Sequence, residues 1–144
     1  MTQIYPLIEI HTDGGSRGNP GQAAIGVHAH TEDNTALFTL SERIGETTNN
    51  VAEYTAVIRA LETLGEKELV SDKLRFVLDS ELIVRQITGL YKVKQPHLKE
   101  LRTKIVSLIN DLKERKIIGK LTFMNVLREK NKVADGLVNE ALDS

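Results

Sequence analysis

Residues 8–15 read Ile8-Glu9-Ile10-His11-Thr12-Asp13-Gly14-Gly15. The apolar run that begins near Ile4 predicts a strand, and Asp-Gly-Gly is a strong turn signal, so we expect this strand to end at Asp13. The stretch that follows, residues 14–21, is so rich in glycine that it predicts an irregular loop. Asp13 would then stand at the carboxyl end of a strand, which is where sites form in α/β sheets.

The residues after this loop predict two strands, a helix and another strand. Alternating residues favour strands over 23–31 and 36–44, joined by a turn at 32–34. An apolar stripe from Tyr54 to Leu64 predicts a helix that begins near Thr48 and ends at Gly65. A short apolar run over 74–78 is typical of a buried central strand.

The last third of the sequence predicts three helices and a strand. Asp79-Ser80 would cap a brief helix that ends near Gly89, and a long amphipathic helix follows Pro96. Residues 121–126 favour a final strand, and the apolar spacing over 134–141 predicts a terminal helix. The order βββαβααβα implies an α/β fold in which three antiparallel strands are followed by parallel strands. We expect one mixed five-stranded sheet with helices on both faces.

Composition limits the class of protein. With 144 residues, 40% of them hydrophobic and 27% charged, we expect one globular domain spanning residues 1–144. The chain has no cysteine, which excludes disulfides and thiolate metal sites. Residues 1–6 lack the features of a secretory signal and no stretch approaches a membrane span, so we expect a cytoplasmic location. A net charge of −1 is by itself a mild argument against nucleic-acid binding, but the distribution of charge matters more than its sum, so the overall charge is weak evidence either way.

Four acidic residues lie in recognisable short sequence motifs: Asp13, Glu53, Asp79 and Asp135. Each has an ordinary structural interpretation. Asp13 suits a turn, Asp79 suits a helix N-cap, Glu53 would complement the dipole in the first turn of its helix, and Asp135 suits a solvated helix face. If the fold gathers them, their mutual repulsion requires divalent cations, and oxygen-only ligands favour Mg²⁺ or Mn²⁺. Two such ions stabilise the attacking and leaving oxygens of a phosphodiester, which is nuclease chemistry.

The sequence motifs around these acids also resemble those of a known family. The chain resembles type 1 ribonuclease H from about residue 7 to 142, and several multi-residue motifs occur in the family's order. The motifs that carry the resemblance are Thr12-Asp13-Gly14-Gly15-Ser16, Gly18-Asn19-Pro20-Gly21, Thr48-Asn49-Asn50 with Glu53, Asp79-Ser80, and Asn131 with Ala134-Asp135.

The resemblance implies an endonuclease that cleaves the RNA strand of RNA–DNA hybrids and leaves 5′-phosphate and 3′-hydroxyl ends. It implies that Asp13, Glu53, Asp79 and Asp135 are catalytic and hold two Mg²⁺ ions, for which Mn²⁺ can substitute. The positions that match substrate contacts are Gly14, Gly15, Asn19, Asn49 and Asn50 for the minor groove, Thr48 for a DNA phosphate, and Glu81, Lys92 and Lys94.

Two departures place the chain in a compact branch of that family. Many members carry a histidine in the loop before the last acid, whereas residues 126–131 contain none. Arg128, Glu129 and Asn131 are the auxiliary candidates in that loop. The basic protrusion of some bacterial members is absent, and only the basic stretch Tyr91-Lys92-Val93-Lys94 lies in the corresponding region. Glu81 stands where many members have glutamine, and His11 is interpreted as structural.

Two other functions stay open from the sequence. A non-catalytic module could bind hybrid or duplex with the same shape, although a pure binder gains nothing from concentrated negative charge beside phosphate. A related nuclease of the superfamily could act on double-stranded RNA or branched DNA. In each case we expect a nucleic-acid duplex as the partner, with no membrane and no obligate protein partner, and a monomer.

Overall fold

The computed structural model describes residues 3–144, so Met1 and Thr2, part of the stretch interpreted as lacking a secretory signal, lie outside it. Its strands are β1 (Ile4–Gly18), β2 (Gly21–Thr31), β3 (Ala36–Thr47), β4 (Val70–Leu78) and β5 (Ile118–Asn125). Its helices are α1 (Asn49–Glu66), α2 (Glu81–Ile87), α3 (Pro96–Glu114) and α4 (Lys132–Asp143), with one 3₁₀ turn at Arg128–Lys130. None of these helices has the length and apolar character needed to cross a membrane.

The five strands form one mixed sheet in the order β3-β2-β1-β4-β5. The first three strands pair antiparallel, while β1–β4 and β4–β5 pair parallel. The predicted fold class and element order are therefore confirmed. The crossovers through α1 and α3 return the chain to parallel strands, which places β1 and β4 side by side with their carboxyl ends at one edge.

Helices pack on both faces of the sheet, and two glycines mark the closest approaches. A Cβ on Gly14 would lie 2.3 Å from the carbonyl carbon of Ala52 in α1, and one on Gly26 would lie 2.1 Å from the carbonyl oxygen of Ala134 in α4. Gly26 is the cross-strand partner of Asp13, so it points to the face opposite that of Gly14. The main core lies between the sheet and α1, where Ile8, Ile10 and Tyr54 are fully buried.

The prediction that residues 14–21 form an irregular loop is wrong. β1 continues to Gly18 and stays paired with β2 up to Gly18↔Gly21, so only Asn19 and Pro20 make the turn. Gly14 is required by the packing of α1 on this strand, whereas Gly18, at a φ of 91°, and Gly21, close to the Arg17 carbonyl, are required by the tight turn. Because β1 extends to Gly18, Asp13 lies inside a long strand instead of at its end.

Several boundaries also differ from the predicted ones. α1 ends at Glu66 and includes Gly65, β3 extends to Thr47, and β4 and β5 begin at Val70 and Ile118. The expectation that Asp79 shares the capping of α2 is wrong, because the cap is Ser80, whose hydroxyl accepts a hydrogen bond from the Ile83 N–H at 3.3 Å. Glu53 lies beyond the first turn of α1, so its expected role at the helix dipole is also wrong.

Candidate active site

The acidic site forms where β4 ends and β1 continues. β1 pairs with β4 only as far as His11↔Val77, so Asp13 lies just beyond the last paired residues. Asp79 follows directly after β4, and its neighbour is Asp13 because the two strands run parallel and adjacent. Glu53 reaches the same place from α1, whose close contact at Gly14 brings its backbone against β1.

Three carboxylates converge at this edge. One oxygen each of Asp13, Glu53 and Asp79 lies within 4.8 Å of the others. Asp13 and Glu53 are buried, with 5% and 8% of their surface exposed. Within residues 3–144, the buried oxygens Oε2 of Glu53 and Oδ2 of Asp79 have no hydrogen-bond partner. Buried acceptors of this kind are costly unless a ligand satisfies them.

Burial and mutual repulsion disfavour the charged forms of these acids. Burial, with repulsion from Asp79 and Asp135, raises the pKa of Asp13 to about 7. Burial and the neighbouring Asp13 raise the pKa of Glu53 well above its ordinary value. Burial also raises the pKa of Asp79, while the Arg128 guanidinium opposes that shift. Burial and mutual repulsion therefore outweigh the one nearby positive group, Arg128, in the environment of these three carboxyls.

The donor set of this cluster fits a hard divalent cation. It offers only carboxylate oxygens, two of which have no partner among residues 3–144, and a cation would compensate the repulsion that raises the three pKa values. Mg²⁺ and Mn²⁺ prefer such ligands, whereas zinc prefers nitrogen or sulfur. The residues present thus suit the metal that the sequence predicted.

The fourth predicted acid, Asp135, lies at the margin of this cluster. It is half-buried in the first turn of α4 and does not belong to the group of three converging oxygens. Its charge nevertheless raises the pKa of both Asp13 and Asp79. Arg128 also faces the site, with its Nε 3.9 Å from Oδ2 of Asp79, and its side chain is 84% exposed.

The residues predicted to contact the hybrid beside α1 make hydrogen bonds within the protein. Oδ1 of Asn49 accepts from the Ser16 N–H at 2.9 Å and the Ser16 hydroxyl at 3.1 Å. Oδ1 of Asn19 accepts from the Asn49 N–H at 3.0 Å. Thr48 caps α1 by accepting from the Val51 N–H at 3.2 Å. These bonds hold the β1–β2 turn against the start of α1. Ser16 therefore positions the turn, a role that local sequence patterns do not indicate because it depends on the pairing of β1 with β2.

The remaining predicted contacts lie apart from the carboxylates. Glu81 is exposed and pairs with Arg85 at 2.7 Å. Lys92 and Lys94 are exposed on the loop between α2 and α3, on either side of buried Val93. Glu129 borders a different cavity, beside the histidines of β1 and β2.

Asn131, one of the auxiliary candidates, is buried and hydrogen-bonded within the protein. Only 1% of its surface is exposed, and its Nδ2 donates to the Thr12 carbonyl at 2.9 Å. This bond joins the start of α4 to β1 immediately before Asp13. It fixes the helix that carries Asp135 relative to the strand that carries Asp13.

The raised pKa of Asp13 predicts a pH dependence of stability in the absence of divalent metal. Between about pH 4 and pH 7 the folded chain keeps the proton that the unfolded chain has lost. The contribution of Asp13 to the free energy of unfolding should therefore fall as pH rises through this window. Denaturant titrations with a chelator present should show this fall, and Asp13→Asn should reduce it. Asp72→Asn, which changes an exposed carboxylate of β4, serves as the control. An identical pH profile in wild type and Asp13→Asn would contradict the assignment.

Comparisons with known proteins agree with this geometry. A protein-family model described as reverse transcriptase-like matches residues 11–141. The chain is 36% identical to ribonuclease HI of Halobacterium salinarum over 136 residues, covering 94% of this chain and 64% of that protein. It is also 36% identical to a bifunctional protein of Mycobacterium tuberculosis over 138 residues, covering 95% of this chain and 36% of that protein. The chain thus spans between about a third and two thirds of these relatives.

Solved structures of similar length also match. The structure of LC11-RNase H1, isolated from compost, superposes with a TM-score of 0.85 at 50% identity and covers 96% of both chains. A second structure of LC11-RNase H1, in complex with an RNA/DNA hybrid, matches with a TM-score of 0.85 at 52% identity and covers 94% of this chain and 96% of that one.

Proposed function

Because this chain belongs to the type 1 ribonuclease H family, we propose that it is a metal-dependent endoribonuclease that hydrolyses the RNA strand of RNA–DNA hybrids. The products would carry 5′-phosphate and 3′-hydroxyl ends. The observation that supports this most is the convergence of three carboxylates, two of them buried, with oxygens that have no partner among residues 3–144. A binding module would not benefit from this arrangement beside phosphate, since it repels the backbone unless metal neutralises it.

Asp13, Glu53 and Asp79 would hold the metal, and Asp135 would add its charge from α4. Two Mg²⁺ ions, the number that the family resemblance implies, would lower the pKa of the attacking water and neutralise charge on the departing 3′-oxygen. The protein's own contribution is rigid placement. Asp13 and Asp79 are fixed by adjacent strands, and Glu53 is fixed by the contact of α1 with Gly14. The exposed Arg128 guanidinium, 3.9 Å from Asp79, would contact a phosphate of the substrate.

The fastened turn beside α1 would receive the minor groove of the hybrid. Asn19 and Asn49 use their amide oxygens within the protein, which leaves their N–H₂ groups as donors. A hybrid exposes 2′-hydroxyl oxygens in a wide, shallow minor groove that such short amides can reach. Recognition would therefore depend on duplex shape, with little reading of base sequence.

The loop with Tyr91, Lys92 and Lys94 would contact the DNA strand. Its two lysines are exposed, and the Arg85 guanidinium lies 5.4 Å from the centre of the Tyr91 ring. Exposed positive groups on one loop suit a phosphate backbone, so binding should weaken as salt rises. Because Glu81 is paired with Arg85, its contribution to a substrate contact would be indirect.

Asn50 provides a test of the groove assignment. It is half-buried at the second position of α1, next to Asn49. We expect Asn50→Ala to raise KM for hybrid about tenfold, the equivalent of one lost hydrogen bond, and to change kcat little. Asn110→Ala, on the exposed surface of α3, is the matched control. A lower kcat with an unchanged KM would show that Asn50 acts on the chemical step instead.

The proposed reaction is tested by a panel of labelled substrates. The purified chain would be incubated with RNA–DNA hybrid, double-stranded RNA and branched DNA, each with Mg²⁺, Mn²⁺ or EDTA. We expect cleavage of the RNA strand of the hybrid with either metal and none with EDTA. Cleavage of branched DNA in preference to hybrid would point to another nuclease of this fold. Tight binding of hybrid without cleavage in either metal would point to a binding module.

A further inference from the structure

A second cluster of titratable side chains lies on the sheet face opposite α1. Strand alternation places Glu9 and His11 of β1 on this face, and the register Glu9↔His30 and His11↔His28 brings two histidines of β2 beside them. The ring centroids of His11 and His30 are 5.4 Å apart, as are those of His28 and His30. The cluster is separate from the three acids described above.

The side chains of Glu9, His11 and His30 point to a common position. Oε1 of Glu9 lies 2.9 Å from Nε2 of His11 and 3.4 Å from Nε2 of His30. One ligand atom from each of the three side chains lies within 4.8 Å of the other two. The side chains are largely buried, with 21%, 18% and 12% of their surface exposed in that order. Their convergence is therefore held by the surrounding protein.

Hydrogen bonds on the far side of each ring fix which nitrogen carries the proton. Nδ1 of His30 lies 2.8 Å from the Thr31 carbonyl oxygen, which can only accept, so Nδ1 donates. Nδ1 of His11 lies 3.2 Å from Oδ1 of Asn131, and that amide presents its oxygen because its nitrogen donates to Thr12. When the rings are neutral, both Nε2 atoms therefore carry no proton, and each faces the Glu9 carboxylate oxygen.

A positive centre between these three atoms relieves their mutual repulsion. A proton on the His11 ring makes its 2.9 Å contact with Glu9 an ordinary ion pair, whereas a metal ion would serve all three atoms at once. In tetrahedral zinc sites the ligand atoms stand roughly 3.3–3.5 Å apart, because each lies about 2.1 Å from the ion. The Glu9–His30 separation of 3.4 Å already fits, and the Glu9–His11 separation of 2.9 Å needs only a small adjustment. The second oxygen of Glu9 is held by Nη1 of Arg75 at 3.1 Å, which orients the carboxylate as outer partners orient metal ligands.

We propose that Glu9, His11 and His30 form a second metal site, selective for Zn²⁺ or a chemically similar transition-metal ion. Two imidazole nitrogens and one carboxylate oxygen are the ligands that zinc prefers, whereas Mg²⁺ prefers oxygen alone. A cavity of about 280 Å³ adjoins the histidines and gives an ion a path from solvent. His28, whose buried Nδ1 lacks a hydrogen-bond partner within residues 3–144, stands beside the site.

The site would fasten several elements together. An ion there joins β1 to β2, and through His11 and Asn131 it supports the start of α4. Zinc should consequently raise the melting temperature of the folded chain, because an ion that binds only the folded state stabilises it. This inference does not depend on the proposed nuclease activity.

The test is equilibrium dialysis of tag-free protein against ZnCl₂ in buffer that contains excess Mg²⁺. We expect one Zn²⁺ per chain, and we expect His11→Ala, His30→Ala and the isosteric Glu9→Gln each to weaken zinc binding about tenfold or more. His97→Ala removes an exposed histidine at the start of α3 and should leave zinc binding unchanged. Asp79→Asn should also retain it. Binding of Co²⁺ should give the strong visible absorption of a tetrahedral ion in wild type and lose it in the His11 and His30 variants.

Three results would overturn the site. The first is an absence of zinc binding by folded wild-type protein. The second is undiminished binding and an unchanged Co²⁺ spectrum in folded Glu9→Gln and His30→Ala. The third is loss of zinc from Asp79→Asn with retention in Glu9→Gln, which would place the ion in the carboxylate cluster. Circular dichroism of each variant confirms that it is folded, and Glu9→Gln keeps the test valid if a histidine variant fails to fold.

Discussion

Replacing Asp13 or Asp79 by asparagine should lower kcat for hybrid cleavage by about 10³-fold or more, and the protein should stay folded. Each substitution removes a negative charge from a cluster of three, and the metal it would hold is worth several kcal/mol to the transition state. Stability should not fall, because the carboxylates already repel one another where they are buried. Cleavage kinetics and denaturant titration of the same preparations measure the two effects.

Asp72→Asn is the matched control for these variants. It changes the same side chain on β4 but at an exposed position outside the cluster, so activity should stay within about twofold of wild type. Near-normal cleavage by folded Asp13→Asn or Asp79→Asn would remove the carboxylate cluster from the mechanism. A large loss in Asp72→Asn would mean that the effect is not specific to the site.

Gly14→Ala should destabilise the protein by about 3 kcal/mol or more. The added Cβ would lie 2.3 Å from the carbonyl carbon of Ala52 and 2.5 Å from the Glu53 nitrogen, and these backbone atoms cannot turn aside as a side chain could. α1 would have to move away from β1 and would take Glu53 with it. Activity should therefore fall together with the free energy of unfolding.

Gly136→Ala is the control for this substitution. Gly136 lies in α4. A Cβ added there would have open space around it, because no atom of residues 3–144 outside the neighbouring helix backbone lies within 4 Å. Alanine should therefore stabilise that helix by about 0.5–1 kcal/mol. Opposite signs for the two glycine variants in denaturant titration would support close packing at Gly14. A neutral Gly14→Ala would contradict the contact between β1 and α1.

The sequence predicted the order of elements because local patterns carry that information. Alternation in β2 and β3 and the apolar stripe of α3 are visible within a few residues, and the element order then limits the topology. The extent of β1 was not visible in the same way. Whether Gly14–Gly18 pairs with β2 depends on residues across the sheet, and Gly14 is required by α1, which is distant in the sequence.

The acidic site was predicted more completely than its surroundings. Asp13, Glu53 and Asp79 are brought together as expected, whereas Asp135 lies at the edge of the cluster. Its role, and those of the groove and loop residues, stay predictions. The cap of α2 was misassigned because Asp79 and Ser80 are both good caps, and only the fold shows that Ser80 takes that role. The Glu9, His11 and His30 cluster depends on strand register, which single-sequence patterns specify weakly.

We propose that Asp13, Glu53 and Asp79 hold hard divalent cations where the RNA strand is cut. The most direct measurement is an anomalous difference map from crystals of the protein soaked in Mn²⁺ with hybrid bound. We expect density within roughly 2–2.5 Å of oxygens from all three carboxylates, beside a phosphate of the RNA strand. Bound hybrid with no manganese at these carboxylates, under conditions in which the protein cleaves it, would mean that they do not hold the metal.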